Sequence, residues 1–471
     1  DLIRQSLRVE RDDARVAVRI EIELWPRGVR RLPILRGWIA RKARDWARVR
    51  LERLADDRES AKSPRPLATT WTIGPGGAPG AATVFRCGET LHMETNGDVG
   101  RPHAVMTGDV ATYFDRPVDS AFACPDRLFV PDLPPDATDI FLDVTRRCNL
   151  RCHACFASAN ESDDVDPAVD DVLAVLGRVK TRPLVSIKGG EPTVRRELPE
   201  FIRAIRRMGF PLKVNTNGLK FADAAYARAI RDAGCDTVCL QWDGEDDAVI
   251  EALRGRALLD TKRAALQNLS RMGFHVILAF MLVEHQTGRH LREVIDFALR
   301  NPNISLVGIL PVSKIGRNEF GTCGESLSMA DAFRLIERDL APKLLHEDFR
   351  VAQRLAARVS SMVGGAKFRA LSCCLGQFLL HRDGDFVPAT RLLSLREWRG
   401  RPWLPRAAGA LAWRIVTGRL THAHPSLLGI VVEKFMDSDG FDLGEAMACR
   451  KYYLAPGGFI SPCVYNTIAA G

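Results

Sequence analysis

The chain has 471 residues, is 46% hydrophobic and 27% charged, and carries a formal net charge of +9. That composition supports a sizeable core and two or three domains, and it excludes wholesale disorder, collagen and low-complexity scaffolds. No stretch approaches the roughly 20 uncharged apolar residues of a membrane span, and the opening Asp1-Leu2-Ile3-Arg4 lacks the apolar core of a secretory signal.

In chain order, residues 1–60 form a basic, Arg-rich segment. Residues 27–54 alone hold ten basic and two acidic side chains, which accounts for eight of the nine net charges. Within it, 33–54 fits an amphipathic helix with Leu35, Trp38, Ile39, Trp46 and Val49 on one face and Arg41, Lys42, Arg44, Arg48 and Arg50 mainly on the others. Residues 61–137 form a small N-terminal region. Its Pro- and Gly-rich stretch at 63–82 reads as a linker or long loop, and short β-like pieces follow over 83–137.

From 138 the pattern changes. Strands are expected at 139–145, 184–188, 212–216, 237–242, 275–282 and 305–311. Helices are expected near 167–179, 195–208, 221–233, 258–272, 288–300 and 328–340. Six strands each followed by a helix imply a parallel sheet, most simply a full or partial α/β barrel over 138–330. In such barrels the chemistry sits on loops at the carboxyl ends of the strands. Residues 331–471 are less regular and are expected to wrap onto the barrel. They contain a second basic stretch, 391–419, with seven Arg against one Glu and Trp398, Trp403 and Trp413.

Twelve cysteines without an export signal point to metal or redox chemistry in a reducing compartment. The strongest motif is Cys148-Asn-Leu-Arg-Cys152-His-Ala-Cys155, directly after the first strand. Thiolates are soft ligands for iron–sulfur clusters or zinc. Three close thiols hold three irons of a cubane and leave the fourth open to a substrate or cofactor. The alternative is a structural zinc knuckle, for which His153 is a nearby donor.

Cys-x3-Cys-x2-Cys after the first strand, with Lys188-Gly-Gly-Glu-Pro192 ending the second, resembles the radical S-adenosylmethionine (SAM) superfamily. The resemblance implies an α/β fold: a partial (β/α)6 TIM-like radical SAM barrel with N-terminal and C-terminal extensions. It implies a [4Fe-4S] cluster on Cys148, Cys152 and Cys155, whose open iron chelates SAM. One electron then releases a 5′-deoxyadenosyl radical that abstracts hydrogen from substrate. Gly189, Gly190, Glu191 and Pro192 would receive the methionine ammonium group. Asn215, Thr216 and Asn217, then Gln241 and Asp243, then Leu310, Pro311 and Val312 near the adenine would complete the SAM site. Glu191 and Asp243 are the expected catalytic carboxylates. A flavodoxin or ferredoxin is the expected electron donor.

A narrower likeness covers roughly 120–467. It rests on 143–160, 233–244, Pro311-Val-Ser-Lys-Ile-Gly-Arg317, Leu375-Gly-Gln-Phe378, 435–443 and 456–466. These stretches resemble the branch that includes the archaeal tetraether lipid synthases and proteins with a pterin methyltransferase label. The likeness implies hydrogen abstraction from an unactivated carbon, with C–C coupling or functionalisation of a lipid-like alkyl chain as the first expectation. Modification of a pterin or other small molecule, of a methyl-transfer type, is the alternative, and a peptide substrate is a third. Outside enzymology, a non-catalytic metal-binding scaffold stays open, although the intact Gly-Gly-Glu-Pro stretch argues against it.

Members of this branch have a cysteine-rich metal site before the barrel. Here Cys87 and Cys124 remain, with His92 and His103 nearby, as a metal site or as a degenerate one with free thiols. Beyond the barrel, Cys373, Cys374, Cys449 and Cys463 are expected either to close an auxiliary [4Fe-4S] cluster or to be buried structural thiols. Cys235 and Cys239 flank the fourth strand and read as core. Cys323 is assigned nothing. The two basic, Trp-bearing segments suit the interface of an anionic membrane or pack on the barrel as solvated elements. No nucleic-acid-binding motif is present. The expected location is cytoplasmic, with the basic segments able to hold the protein at the inner face of the membrane.

Overall fold

A computed structural model describes residues 132–466 apart from short stretches, the longest being 319–325, 363–372 and 437–445. Before residue 130 it describes only the backbone of a few strands. Strands β1 (Ile3–Asp12) and β2 (Arg15–Leu24) pair antiparallel as a hairpin, a structure the Arg-rich composition of 1–60 did not reveal. Strand β3 (Thr70–Ile73) lies inside the stretch read as a linker or long loop, where no strand was expected. Strands β4 (Ala82–Cys87), β5 (Thr90–Thr95) and β6 (Ala104–Met106) match the expected β-like pieces, and β5 pairs antiparallel with β6. The expected helix at 33–54 lies outside the described residues, as do Cys124, His103 and Cys323.

The barrel strands fall where the apolar runs put them: β8 (Asp139–Asp143), β10 (Leu184–Lys188), β11 (Leu212–Thr216), β12 (Thr237–Gln241), β13 (His275–Leu282) and β14 (Ile304–Pro311). All five neighbouring pairs are parallel, so the sheet runs in chain order from β8 to β14. Helices α1 (Val169–Arg178), α2 (Leu198–Arg207), α3 (Ala224–Asp232), α4 (Asp247–Arg254), α5 (Leu259–Arg271), α6 (Leu291–Arg300) and α7 (Met329–Leu340) alternate with or follow these strands. The sequence reading missed α4. It is only eight residues long, opened by the Asp246 side chain on Ala248 N and closed by Gly255 at φ +77°.

The sheet is open and twelve-stranded. The C-terminal residues widen it at both edges instead of only covering it. Strand β18 (Leu427–Glu433) joins β14 in parallel, and β16 (Cys374–Arg382) joins β18 antiparallel, followed by β17 (Asp385–Pro388). On the opposite edge β19 (Lys451–Ala455) runs parallel to β8. Strands β20 (Gly458–Ile460) and β7 (Phe129–Val130) finish that edge.

Side chains alternate along these strands. Ile140, Leu142, Val185, Ile187, Val214, Val238 and Leu240 join Phe201, Ile202, Ile205, Ala227 and Ile230 of the helices in one apolar core. The intervening residues face away from the helices, and on β8, β10 and β11 several of them are polar. Ser186 Oγ donates to Asp139 Oδ1 at 2.7 Å, Lys213 Nζ lies 3.5 Å from Asp139 Oδ2, and Lys451 pairs with Glu433. Cys239 lies within β12 and shares this polar face, where Lys213, Glu433 and Lys188 act on its thiol. Cys235, just before β12, is fully buried core as expected.

Candidate functional site

The cysteine loop leaves β8 at Val144 and is braced by side chains from distant elements. Asn160, in the left-handed region at φ 65°, accepts from Cys148 N at 2.8 Å and donates to the carbonyls of Cys148 and Leu150. Arg146 Nη1 donates to Ala157 O at 3.0 Å. Arg317 Nε donates to Cys152 O at 2.8 Å, and Nη1 to Ala159 O and Glu161. The short strands β9 (Ala154–Cys155) and β15 (Arg317–Asn318) pair antiparallel, which ties the loop to the end of the barrel. At Gly316 (φ +60°) a Cβ would come within 2.5 Å of Cys155 O, so only glycine allows this approach.

Cys148, Cys152 and Cys155 are free thiols with the soft donor chemistry a cluster requires. Burial pushes the Cys148 thiol up to about 12, and the neighbouring Cys152 and Cys155 charges add to the rise. Burial also raises Cys152, opposed by the adjacent Arg254. Metal loading therefore displaces protons from this loop. Among the described residues, no three His, Cys, Asp or Glu side chains converge on a position for one metal ion.

The second motif is threaded against the first. Gly190 N donates to Thr145 O at 2.7 Å and Glu191 N to Arg147 O at 2.9 Å. A Cβ at Gly189 (φ +129°) would lie 2.3 Å from Thr145 O, and one at Gly190 2.3 Å from Arg147 O. The glycines thus bring the end of β10 into contact with the cysteine loop.

Glu191 is buried. Its Oε1 accepts from Thr193 N, Thr193 Oγ1 and Thr216 Oγ1, and its Oε2 from Asn217 N at 2.7 Å. Oε1 thus takes three donors and Oε2 one, which makes Oε2 the less engaged oxygen. Pro192 opens a short 3-10 turn that carries Thr193 back to this carboxylate. Asn217 Nδ2 donates to Asn149 Oδ1 at 2.7 Å, joining the end of β11 to the cysteine loop. Asn215 is turned to Ile187 O at 3.0 Å. Val312 N donates to Leu282 O, which sets Pro311 and Val312 at the mouth of β14.

Asp243, expected as a catalytic carboxylate, is engaged in an ion pair. Both of its oxygens are taken by Arg254, at 2.8 Å (Nε) and 2.7 Å (Nη2), in a fully buried bidentate pair. Burial acts to raise its pKa, but the Arg254 charge and hydrogen bonds outweigh it and the net shift is down. Arg254 also reaches Ala154 O at 3.4 Å, so Asp243 positions an arginine against the cysteine loop.

Sequence reasoning missed Arg254, Asn160, Arg317 and Lys262. Lys262, fully buried on α5, donates to Asn217 O at 3.1 Å and Gln241 O at 2.8 Å, joining the ends of β11 and β12. Its place on an amphipathic helix gave no signal except a basic residue on the apolar face. Burial lowers Lys262 to about 8, partly opposed by Asp243, and Lys188 is likewise lowered to about 8 by burial. A lowered amine pKa means that the unfolded chain holds more protons between about 8 and 10.5, so stability rises with pH across that window. Denaturation midpoints taken at about pH 7.5 and 9.5 should rise less in Lys262→Met than in the wild type. An identical rise would show that Lys262 does not titrate in this window.

The C-terminal cysteines share one neighbourhood. Cys374 sits opposite Glu433 in the sheet, and its thiol, pushed up to about 11 chiefly by burial, also feels Lys451, Glu433 and Cys449. Cys463, pushed up to about 12 by burial, accepts from Met436 N at 3.3 Å and feels Cys449. Cys373 O accepts from Lys434 N at 2.9 Å. Of the N-terminal candidates, Cys87 and His92 lie on β4 and β5.

Residues 142–298 match the model of the Radical SAM superfamily. The chain is 27% identical over 384 residues to 7,8-dihydro-6-hydroxymethylpterin dimethyltransferase of Methanocaldococcus jannaschii, covering 69% of this chain and 76% of the relative. It is 28% identical over 215 residues to Fe-coproporphyrin III synthase of Methanosarcina barkeri (44% and 51% covered). It is 25% identical over 189 residues to a probable GTP 3′,8-cyclase of Sulfolobus acidocaldarius (39% and 59%). The chain thus spans only about half of the latter two. Among solved structures, Streptococcus suis SuiB bound to S-adenosylmethionine matches with a TM-score of 0.38 at 20% identity, covering 47% of this chain and 49% of that one. A cysteine loop and a glycine loop, locked together at the ends of successive parallel strands, lie within residues 142–298, which form a radical SAM domain, the domain of a superfamily of enzymes that use a [4Fe-4S] cluster and S-adenosylmethionine.

Proposed function

We propose that this enzyme modifies a small polar heterocycle by radical chemistry of a methyl-transfer type. One observation carries the reading: over β8, β10, β11, β18 and β19 the sheet face away from the helices carries Asp139, Ser186, Lys213, Glu433 and Lys451, a charged cluster that suits a polar substrate better than an alkyl chain. Two of the relatives support it. One is named for a pterin and another for GTP, and both molecules carry a 2-aminopyrimidin-4-one ring.

In this reading Cys148, Cys152 and Cys155 hold the cluster. Gly189, Gly190, Glu191 and Pro192 seat the methionine end of SAM. Asn215, Thr216, Asn217, Gln241, Pro311 and Val312 close around the rest. When bound, the cluster and SAM supply a 5′-deoxyadenosyl radical on one-electron reduction by a flavodoxin or ferredoxin. The protein's part is to place these groups and exclude water. Glu191 Oε2 accepts from the ammonium group, while Asp243 acts only through Arg254. Cys373, Cys374, Cys449 and Cys463 are assigned an auxiliary cluster.

Anaerobic reconstitution tests this. The full chain should bind about eight irons, and Cys374→Ser about four. With reductant and SAM, a reduced pterin should raise 5′-deoxyadenosine formation and gain mass. Four irons in the wild type would return the C-terminal cysteines to packing. Stimulation by a lipid extract and not by a pterin would replace the substrate.

A lipid-like substrate keeps one observation in its favour. Most of 391–419 is packed: Arg391 pairs with Asp348, Arg401 with Asp385 and Glu397, and Trp398 and Trp403 join a small core. The helix Leu404–Thr417, however, leaves Trp413, Ile415 and Val416 exposed, with Arg419 over the Trp413 ring at 5.5 Å. An apolar edge flanked by arginine suits an anionic membrane surface. Co-sedimentation with vesicles containing anionic lipid should fall in Val416→Asp. Equal sedimentation of both proteins would remove this surface. No described helix is long and apolar enough to cross a membrane.

A further inference from the structure

Lys188 occupies an unusual setting. It ends β10, immediately before Gly189, and its side chain is buried on the polar face of the sheet. Four rings surround the ammonium group: Phe156 at 4.1 Å, Phe141 at 4.5 Å, Tyr453 at 4.6 Å and Phe435 at 6.0 Å. Such ring faces partly compensate a desolvated cation. Among the described residues the ammonium, which has three N–H donors, makes one hydrogen bond, to Tyr453 Oη.

Directly beside it in the sheet register stands Asp143, the last residue of β8. Its Oδ1 is buried and has no hydrogen-bond partner. Burial raises its pKa, opposed by Lys188 and Arg146. An unpartnered buried carboxylate oxygen costs free energy that a ligand donor would recover. The aromatic walls are themselves ordered. Phe156, next to Cys155, stacks on Phe435 at 5.8 Å with 6° between planes, and Tyr453 stacks on Tyr465 at 4.2 Å. Arg146 fixes Tyr465 through its hydroxyl at 3.1 Å.

We propose that Asp143 and Lys188 read the edge of a 2-aminopyrimidin-4-one ring beside the cysteine loop, with the Phe156–Phe435 pair against its face. The ring's amino and ring N–H groups donate to the carboxylate, and its carbonyl accepts from the ammonium. Charge-assisted pairs of this kind are the strong ones, and planar rings stack well on aromatic faces. Neither partner matches an alkyl chain. The inference rests on the small-heterocycle reading and specifies which edge of the heterocycle is recognised.

The test is anaerobic calorimetry on the reconstituted, SAM-loaded full chain. The probes are 6-hydroxymethyl-7,8-dihydropterin, GTP, and the pterin analogue in which the 2-amino group is an oxo group. The analogue should bind about 10- to 100-fold more weakly than the pterin, because it turns an acceptor toward Asp143. Asp143→Asn and Lys188→Met should each weaken pterin binding by a similar factor with unchanged iron content. The analogue arm uses the wild-type protein, so it stands even where a variant misfolds. Tighter binding of GTP than of the pterin would keep the edge assignment and identify the ring's source. Pterin binding that is indifferent to the 2-amino group and to both substitutions would overturn this inference and leave the small-molecule reading intact. Failure of the wild type to bind either ring would end both.

Discussion

Cys152→Ala should abolish 5′-deoxyadenosine formation: with reductant and SAM under anaerobic conditions, product is expected to fall to the background of a cluster-free control. The structure explains why the loss would be chemical. The loop is held by groups other than its thiols, namely Asn160 on Cys148 and Leu150, Arg317 on Cys152 O, and the His153 N bond to Leu253 O at 3.0 Å. Removing one sulfur deletes a soft donor but none of these braces, so the stability cost should stay near the common value of about 1 kcal/mol. Cys235→Ala is the control. That thiol is buried below β12, where it donates to Thr237 O at 3.2 Å, and its loss should cost stability and leave product formation in place. Full activity of Cys152→Ala would refute the ligand assignment and reopen the scaffold reading.

Arg254→Met should be among the most destabilising single substitutions, at about 3–5 kcal/mol, because it leaves a buried Asp243 carboxylate without its partner. Urea midpoints read the effect directly. The pH dependence has a definite sign. The folded pKa of Asp243 is below its ordinary value of 3.8, so its contribution is present above that pH and is lost as pH falls through the lower folded value. Replacing both partners, as Arg254→Met with Asp243→Leu, should recover much of the stability, since an apolar pair of similar volume avoids the desolvation of two charges. It should not restore iron retention, because Arg254 also reaches Ala154 O and lies against Cys152. A single-variant cost under about 1 kcal/mol would mean that the pair is solvated, as exposed pairs are.

The barrel was legible in the sequence because its strands are short apolar runs separated by amphipathic helices. Each expected strand lies within two residues of its observed bounds. The site was legible where its residues are contiguous: three cysteines on one loop, then Gly189-Gly190-Glu191 after the next strand. It was not legible where one residue serves a distant one. Asp243 read as a catalytic carboxylate because a lone aspartate after a strand carries no mark of its partner. Arg254, eleven residues on, is hidden in a helix that opens and closes within eight residues. Lys262 drew no assignment and Arg317 only closed a family-like stretch, although each donates to backbone carbonyls of other loops. Such bonds leave no trace in composition or period.

The sequence by itself determined the chemistry on offer. Thiols at x3 and x2 spacing after the first strand, two glycines at the end of the second and an alternating β/α pattern admit few other readings, because local spacing and hydrophobic period act over short distances. Only the tertiary structure decided which charges are engaged and which surfaces meet. It closed Asp243 onto Arg254, and it drew β18 and β19 from the C-terminal region to the two flanks of the barrel. It also gathered Lys188 among rings from β8, the cysteine loop and the C-terminal region. Those outcomes depend on contacts between residues up to some three hundred positions apart, where burial and the pairing of every buried polar group set the arrangement.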